Sequence, residues 1–102
     1  MKFLSSLLFI ISAQLMMAQE VATIEGKVVD IDNNPVPFAS VYIPELHKGA
    51  AADADGQFSI NNIPYGLWQL TASGVGYKAA TVAINPNEPI LSGIKFQLAF
   101  DN

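Results

Sequence analysis

Residues 38–43 read FASVYI, and hydrophobic side chains recur there at every second position. Ala39, Val41 and Ile43 would point to one side of an extended chain, and the residues between them to the other. This period of two indicates a β-strand with one buried and one exposed face. The same pattern recurs at residues 23–28, 58–60, 68–73, 82–84 and 94–100. Six or seven short strands of this kind predict an all-β protein.

Segments rich in Asn, Asp, Pro and Gly separate these runs, and such residues favour turns. They lie at residues 32–37, 53–56, 61–66 and 85–89, and residues 74–76 (GVG) are expected to interrupt a longer strand. A single sheet would leave its apolar face in water, so two sheets must pack together. We therefore predict an antiparallel β-sandwich or barrel.

The expected core follows from the same alternation. The last run predicts a buried face made by Ile94, Phe96, Leu98 and Phe100. Trp68 is the largest candidate core side chain, and truncating a buried Trp to Ala typically costs about 3–5 kcal/mol.

Composition excludes several classes of protein. The 102 residues allow one small domain. The absence of cysteine excludes a disulfide-stapled scaffold and a thiolate zinc site. The five cationic side chains are all Lys and the net charge is −4, which argues against nucleic-acid binding. A hydrophobic fraction of 51% against 14% charged residues argues against disorder.

The first 18 residues have the organisation of a secretory signal peptide. Lys2 gives a positive start, an apolar run follows at residues 3–11, and Ala18 precedes an expected cleavage site before Gln19. We therefore expect a signal peptide over 1–18 and an exported domain over 19–102, with no transmembrane segment in the exported part. The absence of a following cysteine excludes a lipoprotein. An uncleaved membrane anchor is the alternative, although polar residues interrupt a run that would need about 20 apolar residues.

A chain exported without cysteines fits the periplasm or outer membrane of a Gram-negative bacterium, because its fold does not depend on an oxidising compartment.

The order of the turn motifs resembles a known family. Residues 26–30 (GKVVD) and 35–43 (PVPFASVYI) precede residues 53–58 (DADGQF), a Pro-x-Gly turn at 64–66 and a Gly-Tyr pair at 76–77. In this order, over residues 24–98, they resemble the carboxypeptidase regulatory-like domain. Residues 33–34 (NN) stand where Gly is usual, and residues 51–52 (AA) stand where Thr is common. The positions that carry the resemblance are Gly26, Pro37, Asp53, Gly56, Phe58, Gly66, Trp68, Gly76 and Tyr77.

The resemblance implies a prealbumin-like Greek-key β-sandwich of about seven strands. In secreted bacterial proteins such domains often follow the signal peptide of TonB-dependent outer-membrane receptors and precede the plug and barrel. It therefore implies a non-catalytic accessory domain of a transport system, with a protein partner in the cell envelope or a covalent continuation into a plug and barrel. Because 102 residues cannot supply a transmembrane barrel, we expect a free-standing module or the amino-terminal piece of a receptor.

No catalytic constellation is visible in the sequence, and no cofactor or enzyme activity is expected. His47 is the one histidine, whereas zinc catalysis needs three protein ligands, so we interpret it as a loop residue. Residues 53–56 (DADG) resemble the start of a calcium loop, but Gln57 and Pro64 occupy two required ligand positions. We therefore expect a turn capped by Asp side chains, with weak calcium binding as the alternative.

Exposed aromatic residues are the remaining candidates for ligand or partner contact. Tyr42 lies on the polar side of its strand, and Tyr65 lies in a loop. Aromatic side chains can stack on sugar rings, so a carbohydrate-binding module that uses Tyr42, Tyr65 or Trp68 is one alternative function. A structural spacer without any ligand is another. The interaction domain ranks first, by analogy with the family.

Overall fold

A computed structural model describes residues 20–101. The signal peptide predicted for residues 1–18 lies outside this range and stays a prediction.

Seven strands account for most of the described chain, which confirms the predicted all-β class. A single 3-10 turn at Pro44–Leu46 separates the second and third strands. The strands are β1 (Val21–Asp30), β2 (Ser40–Ile43), β3 (Lys48–Ala51), β4 (Gln57–Pro64), β5 (Trp68–Ser73), β6 (Ala80–Ile84) and β7 (Ile90–Leu98).

The strands form two sheets that pack face to face, as predicted. One sheet has the order β4-β1-β7 and the other the order β3-β2-β5-β6. Side chains at alternate positions fill the space between them, and Ile24, Val28, Val41 and Leu70 are among the fully buried ones. The rings of Phe58 and Phe96 lie 6.1 Å apart within this core.

One strand pair differs from the predicted antiparallel arrangement. Strand β7 runs parallel to β1, with Gly26 opposite Ile94 and Val28 opposite Phe96. The other four pairs are antiparallel. The difference arises because β6 and β7 belong to different sheets, so the connection between them crosses the sandwich. Side chains alternate between the two faces in the same way in parallel and antiparallel strands, so the sequence pattern could not reveal the parallel orientation of β7.

Four further details differ from the sequence-based expectation. Residues 61–64, expected in a turn, form the end of β4, because Ile63 is buried and pairs with Ala22 of β1. Strand β3 shows no clear alternation in the sequence and was not predicted. Phe100 is 40% exposed and lies beyond β7, where its ring packs against Tyr77 at 5.3 Å. Trp68 is half-buried against the core, whereas Phe96 is the largest fully buried side chain.

Two turns at one end of the sandwich have the same geometry. In the first, the Asp30 carboxylate accepts hydrogen bonds from the N–H groups of Asp32 at 2.9 Å and Asn34 at 3.0 Å. In the second, the Asp53 carboxylate accepts from Asp55 at 2.8 Å and Gln57 at 2.9 Å.

Each of these turns places its fourth residue in the left-handed region, at Asn33 with φ 67° and Gly56 with φ 79°. Asn tolerates this conformation better than other side chains that have a Cβ atom. This explains how residues 33–34 accommodate the loss of the usual glycine.

Candidate protein-interaction surface

The outer faces of the two sheets differ in charge. On the sheet β4-β1-β7, the exposed side chains include Glu25, Lys27 and Lys95, which lie next to one another across β1 and β7. On the sheet β3-β2-β5-β6, the outward positions carry no charged side chain. We name this the uncharged face, and it consists of Ser40, Tyr42, Gly49, Ala51, Gln69, Thr71, Ser73, Thr81 and Ala83.

Tyr42 lies near the middle of the uncharged face. It is half-buried and stands between Gly49 on β3 and Thr71 on β5. Beside Gly49, the Tyr42 side chain lines a shallow depression of about 370 Å³ together with Pro44, His47 and Lys48. Tyr42 therefore offers a contact surface rather than an enclosed ligand pocket.

Two exposed hydrophobic side chains extend the uncharged face at one end. Phe38 is 70% exposed just before β2, and Val75 is fully exposed in the turn after β5. Both line a depression of about 320 Å³ together with Ser40, Ser73 and Gly74. We name Phe38 and Val75 the hydrophobic tip.

Phe38 also has an unusual backbone conformation. Its φ of 60° lies in the left-handed region, which costs a residue with a Cβ atom roughly 1–2 kcal/mol. Strain of this kind persists where the surrounding structure imposes it, and it is concentrated at functional sites. The N–H of Phe38 donates to the carbonyl of Asp53 at 3.2 Å, which holds the strained residue against the second turn.

The structure does not bring Tyr65 close to Tyr42. Tyr65 lies at the other end of the sandwich, where its N–H donates to the carbonyl of Glu20 at 3.4 Å. Partial burial raises the pKa of the Tyr65 phenol above its ordinary value of 10.0, and the Glu20 and Glu88 carboxylates raise it further. The two tyrosines therefore do not form one platform for a sugar ring.

Several residues that carry the family resemblance have structural positions. The Trp68 indole donates to the carbonyl of Pro64 at 2.8 Å, which closes the turn around Gly66. A Cβ atom at Gly26 would lie 2.6 Å from the Phe58 ring and would overlap the carbonyl oxygen of Ile94. Gly26 therefore makes room for a core aromatic side chain.

The remaining residues of this set lie in the loops at the tip end. Pro37 is exposed directly before Phe38, and Gly76 has a φ of 87°. The N–H of Tyr77 donates to the carbonyl of Gly74 at 3.1 Å, and Tyr77 forms an isolated bridge with Phe100. These contacts hold the turn that presents Val75.

No cluster of three or more His, Asp or Glu side chains arranged to hold a metal ion occurs within residues 20–101. Asp53 uses a carboxylate oxygen to cap its own turn, and His47 is exposed in a left-handed conformation after the 3-10 turn. Over the same range, no helix has the length and apolar character needed to cross a membrane.

Tyr42 stays a predicted contact residue, whereas the hydrophobic tip was not predicted from the sequence. Phe38 could be assigned to either face from its pattern, and Val75 lay in a segment interpreted only as an interruption. The one available signal was an apolar residue between two glycines, which is typical of an exposed turn.

Two sheets that pack face to face around one hydrophobic core define a β-sandwich domain. The family model for the CarboxypepD_reg-like domain matches residues 24–101, and the chain belongs to this family. No curated protein resembles the chain closely enough to count as a match.

Two solved structures have a similar fold, and both are chains of type II Cohesin-X-Dockerin complexes from Acetivibrio cellulolyticus. In the complex with a C-terminal interface mutation, the TM-score is 0.65 at 15% identity. In the complex with an N-terminal interface mutation, the TM-score is 0.60 at 17% identity. Each match covers 76% of this chain and 56% of the other, so this chain spans just over half the length of the chains it matches.

Proposed function

We propose that this domain is a non-catalytic interaction domain of the exported cell envelope and that it binds a protein through the uncharged face and the hydrophobic tip. One observation carries the proposal: the face without charged side chains runs directly into the exposed Phe38 and Val75. A partner would cover these side chains, and each fully buried side chain of this size contributes about 1.5–3 kcal/mol.

The depletion of charge supports a protein partner in particular. The core of a protein interface is typically poor in charged residues and enriched in aromatic ones, and Tyr42 and Phe38 fit that composition. The charged outer face of the other sheet provides the contrast within the same domain. The partner surface that fits is apolar or uncharged and shallowly concave around Phe38 and Val75.

We further propose that the domain serves a TonB-dependent outer-membrane receptor system, as its amino-terminal domain or a fragment of it. The support is the order of segments, with leader-like residues 1–18 directly before a CarboxypepD_reg-like domain. The fold similarity to chains of Cohesin-X-Dockerin complexes adds that such a sandwich occurs within protein assemblies.

Site-specific photo-crosslinking in cells that export the full chain tests this proposal. A photoreactive residue at Val75 should yield a discrete crosslinked protein, and the same residue at Ser59, exposed on the charged sheet, is the matched control. The substitution Phe38→Ser should reduce the Val75 product. Identical products from both positions, or none from either, would contradict an interaction through the tip and would favour a structural spacer.

Identification of the crosslinked protein tests the finer proposal. A TonB-dependent receptor component supports it, and an unrelated envelope protein would leave the interaction domain but remove the receptor assignment. A carbohydrate-binding function has no specific support, because Tyr42 and Tyr65 lie in different parts of the sandwich.

A further inference from the structure

Strand β6 is an edge strand without the usual protection against further pairing. Within residues 20–101 its one strand partner is β5, so the other side of its backbone has free hydrogen-bonding groups. Its sequence, ATVAI, contains no charge, proline or glycine, and its pairing with β5 is regular. Natural sheets normally protect edge strands by such residues or by bulges.

The other three edges of the two sheets carry these protective features. Strand β3 has four residues, which include Lys48 and Gly49. Strand β4 has a register shift in its pairing with β1 and ends at Pro64. Strand β7 has a register shift and a glycine with φ 79° at Gly93. Residues 80–84 of β6 carry none of these features. Residues 99–101 cover only the chain just before the strand, where the N–H of Lys78 donates to the carbonyl of Ala99 at 2.9 Å.

The core is also incompletely closed beside β6. Val82 on β6 points inward but is only half-buried, and so is Leu91 on β7, the neighbouring edge of the other sheet. An additional strand beside β6 would place its own inward side chains over this opening. The edge thus offers backbone groups and uncovered apolar side chains at the same place.

We propose that β6 pairs antiparallel with β6 of a second copy, centred on Val82, so that the two four-stranded sheets become one continuous sheet. This goes beyond the proposed function, since it concerns an edge and not the hydrophobic tip. The strand runs from Ala80 to Ile84, so this register pairs all five residues and keeps inward side chains inward. It sets Thr81 opposite Ala83 on the outer face.

Symmetry favours a second copy over an open-ended array. A two-fold pairing of β6 with itself closes as a dimer, whereas β6 pairing with β3 of another copy would propagate. The short β3 strand with Lys48 and Gly49 disfavours the second arrangement. The uncharged β6 strand also lets two copies approach although each carries a net charge of −4.

Charges beyond the strand ends favour the antiparallel orientation. Lys78 precedes β6 and Glu88 follows it, so antiparallel pairing sets each Lys78 end against the Glu88 end of the other copy. Two further carboxylates lie nearby: Asp101, bonded through its N–H to Gly76, and Glu20, beside Tyr65. Parallel pairing would bring the acidic ends together.

A single introduced cysteine tests the register, because the chain has none of its own. Residue 82 would face its own symmetry mate, so Val82→Cys should form a covalent dimer under mild oxidation. Residue 80 would face Ile84, so Ala80→Cys is the control and should crosslink about tenfold more slowly, given the short Cβ–Cβ distance that a disulfide requires. Equal rates for the two variants would overturn the centred register.

A matched pair of substitutions tests the edge. Ala83→Lys places a charge on β6, and Ala51→Lys places the same charge on the other edge of the same sheet. Sedimentation velocity over a concentration series should show a dimer whose dissociation constant rises about tenfold with Ala83→Lys and not with Ala51→Lys. A monomer at every concentration, or equal effects of both variants, would refute the proposal.

Exchanging the charges of Lys78 and Glu88 gives a further test if Ala83→Lys or Ala51→Lys folds poorly. Lys78→Glu should weaken the dimer about twofold to tenfold, and Lys78→Glu with Glu88→Lys should restore it. Failure of the exchange to restore dimerisation would exclude the antiparallel orientation. Absence of a dimer while crosslinking at Val75 persists would refute this inference and leave the proposed function intact.

Discussion

Gly56 shows how a single residue joins the second turn to strand β1. Its N–H donates to the carbonyl of Asp53 at 3.0 Å, and its own carbonyl accepts from Val28 at 2.8 Å. Its φ is 79°, and a Cβ atom there would overlap the carbonyl oxygen of Val28. The turn therefore needs glycine for two separate reasons, conformation and space.

We predict that Gly56→Ala lowers the free energy of unfolding by about 3 kcal/mol, because the strained conformation and the overlap add. Gly76→Ala is the matched control, since Gly76 has a similar φ of 87° but no neighbouring atom lies within 4 Å of the place that a Cβ atom would occupy. It should cost only about 1–2 kcal/mol. Urea unfolding of both variants measures the difference, and equal losses would show that Val28 does not restrict this position.

Among the strands, β7 contributes the largest fully buried side chain, Phe96. Phe96 is 1% exposed and contacts Phe58 across β1, whereas Trp68 on β5 is half-buried. The size of Trp68 drew attention to it in the sequence, but burial and not size determines the energy of truncation. The alternation of β7 was predicted correctly up to Leu98, where the strand ends.

We predict that Phe96→Ala lowers the free energy of unfolding by about 3–5 kcal/mol and Trp68→Ala by about 2–3 kcal/mol. The difference arises because folding buries more of the apolar surface of Phe96 than of Trp68. Since small domains have a total stability near 5–10 kcal/mol, Phe96→Ala should leave the domain only marginally folded. Gln97→Ala, on the exposed face of the same strand, should stay within about 0.5 kcal/mol of the parent. Thermal unfolding ranks the three variants by their loss of stability, and a larger loss for Trp68→Ala than for Phe96→Ala would contradict the prediction.

At the scale of the whole molecule, Glu20, Tyr65 and Glu88 meet although they are distant in the sequence. Partial burial and the two carboxylates raise the pKa of the Tyr65 phenol. The folded chain therefore retains a proton that the unfolded chain releases at lower pH. The resulting contribution to stability is complete below the unfolded pKa of about 10 and is lost as the pH rises through the folded pKa.

We predict that the free energy of unfolding falls with rising pH above about 10 and that Tyr65→Phe makes this fall smaller. Glu88→Gln should act in the same direction, because it removes one of the charges that raise the pKa of Tyr65. Urea unfolding at a series of alkaline pH values compares the three proteins. An identical pH dependence in all three would show that Tyr65 does not contribute to it.

Local patterns in the sequence determined the strand class, the buried faces of β1, β2 and β5, and the turns at residues 32–37, 53–56 and 85–89. They could do so because alternation and turn chemistry depend on residues that are neighbours in the chain. The turn expected over residues 61–66 was wrong in its first four residues, which belong to β4.

Only the tertiary structure decided the parallel pairing of β7 with β1, the unprotected edge of β6 and the exposure of Phe38. Each depends on which strands become neighbours in space, and a period of two is the same whichever partner a strand has. The physical reason is that strand pairing and edge position depend on how the whole chain is connected, and the residue pattern within one segment does not reveal this.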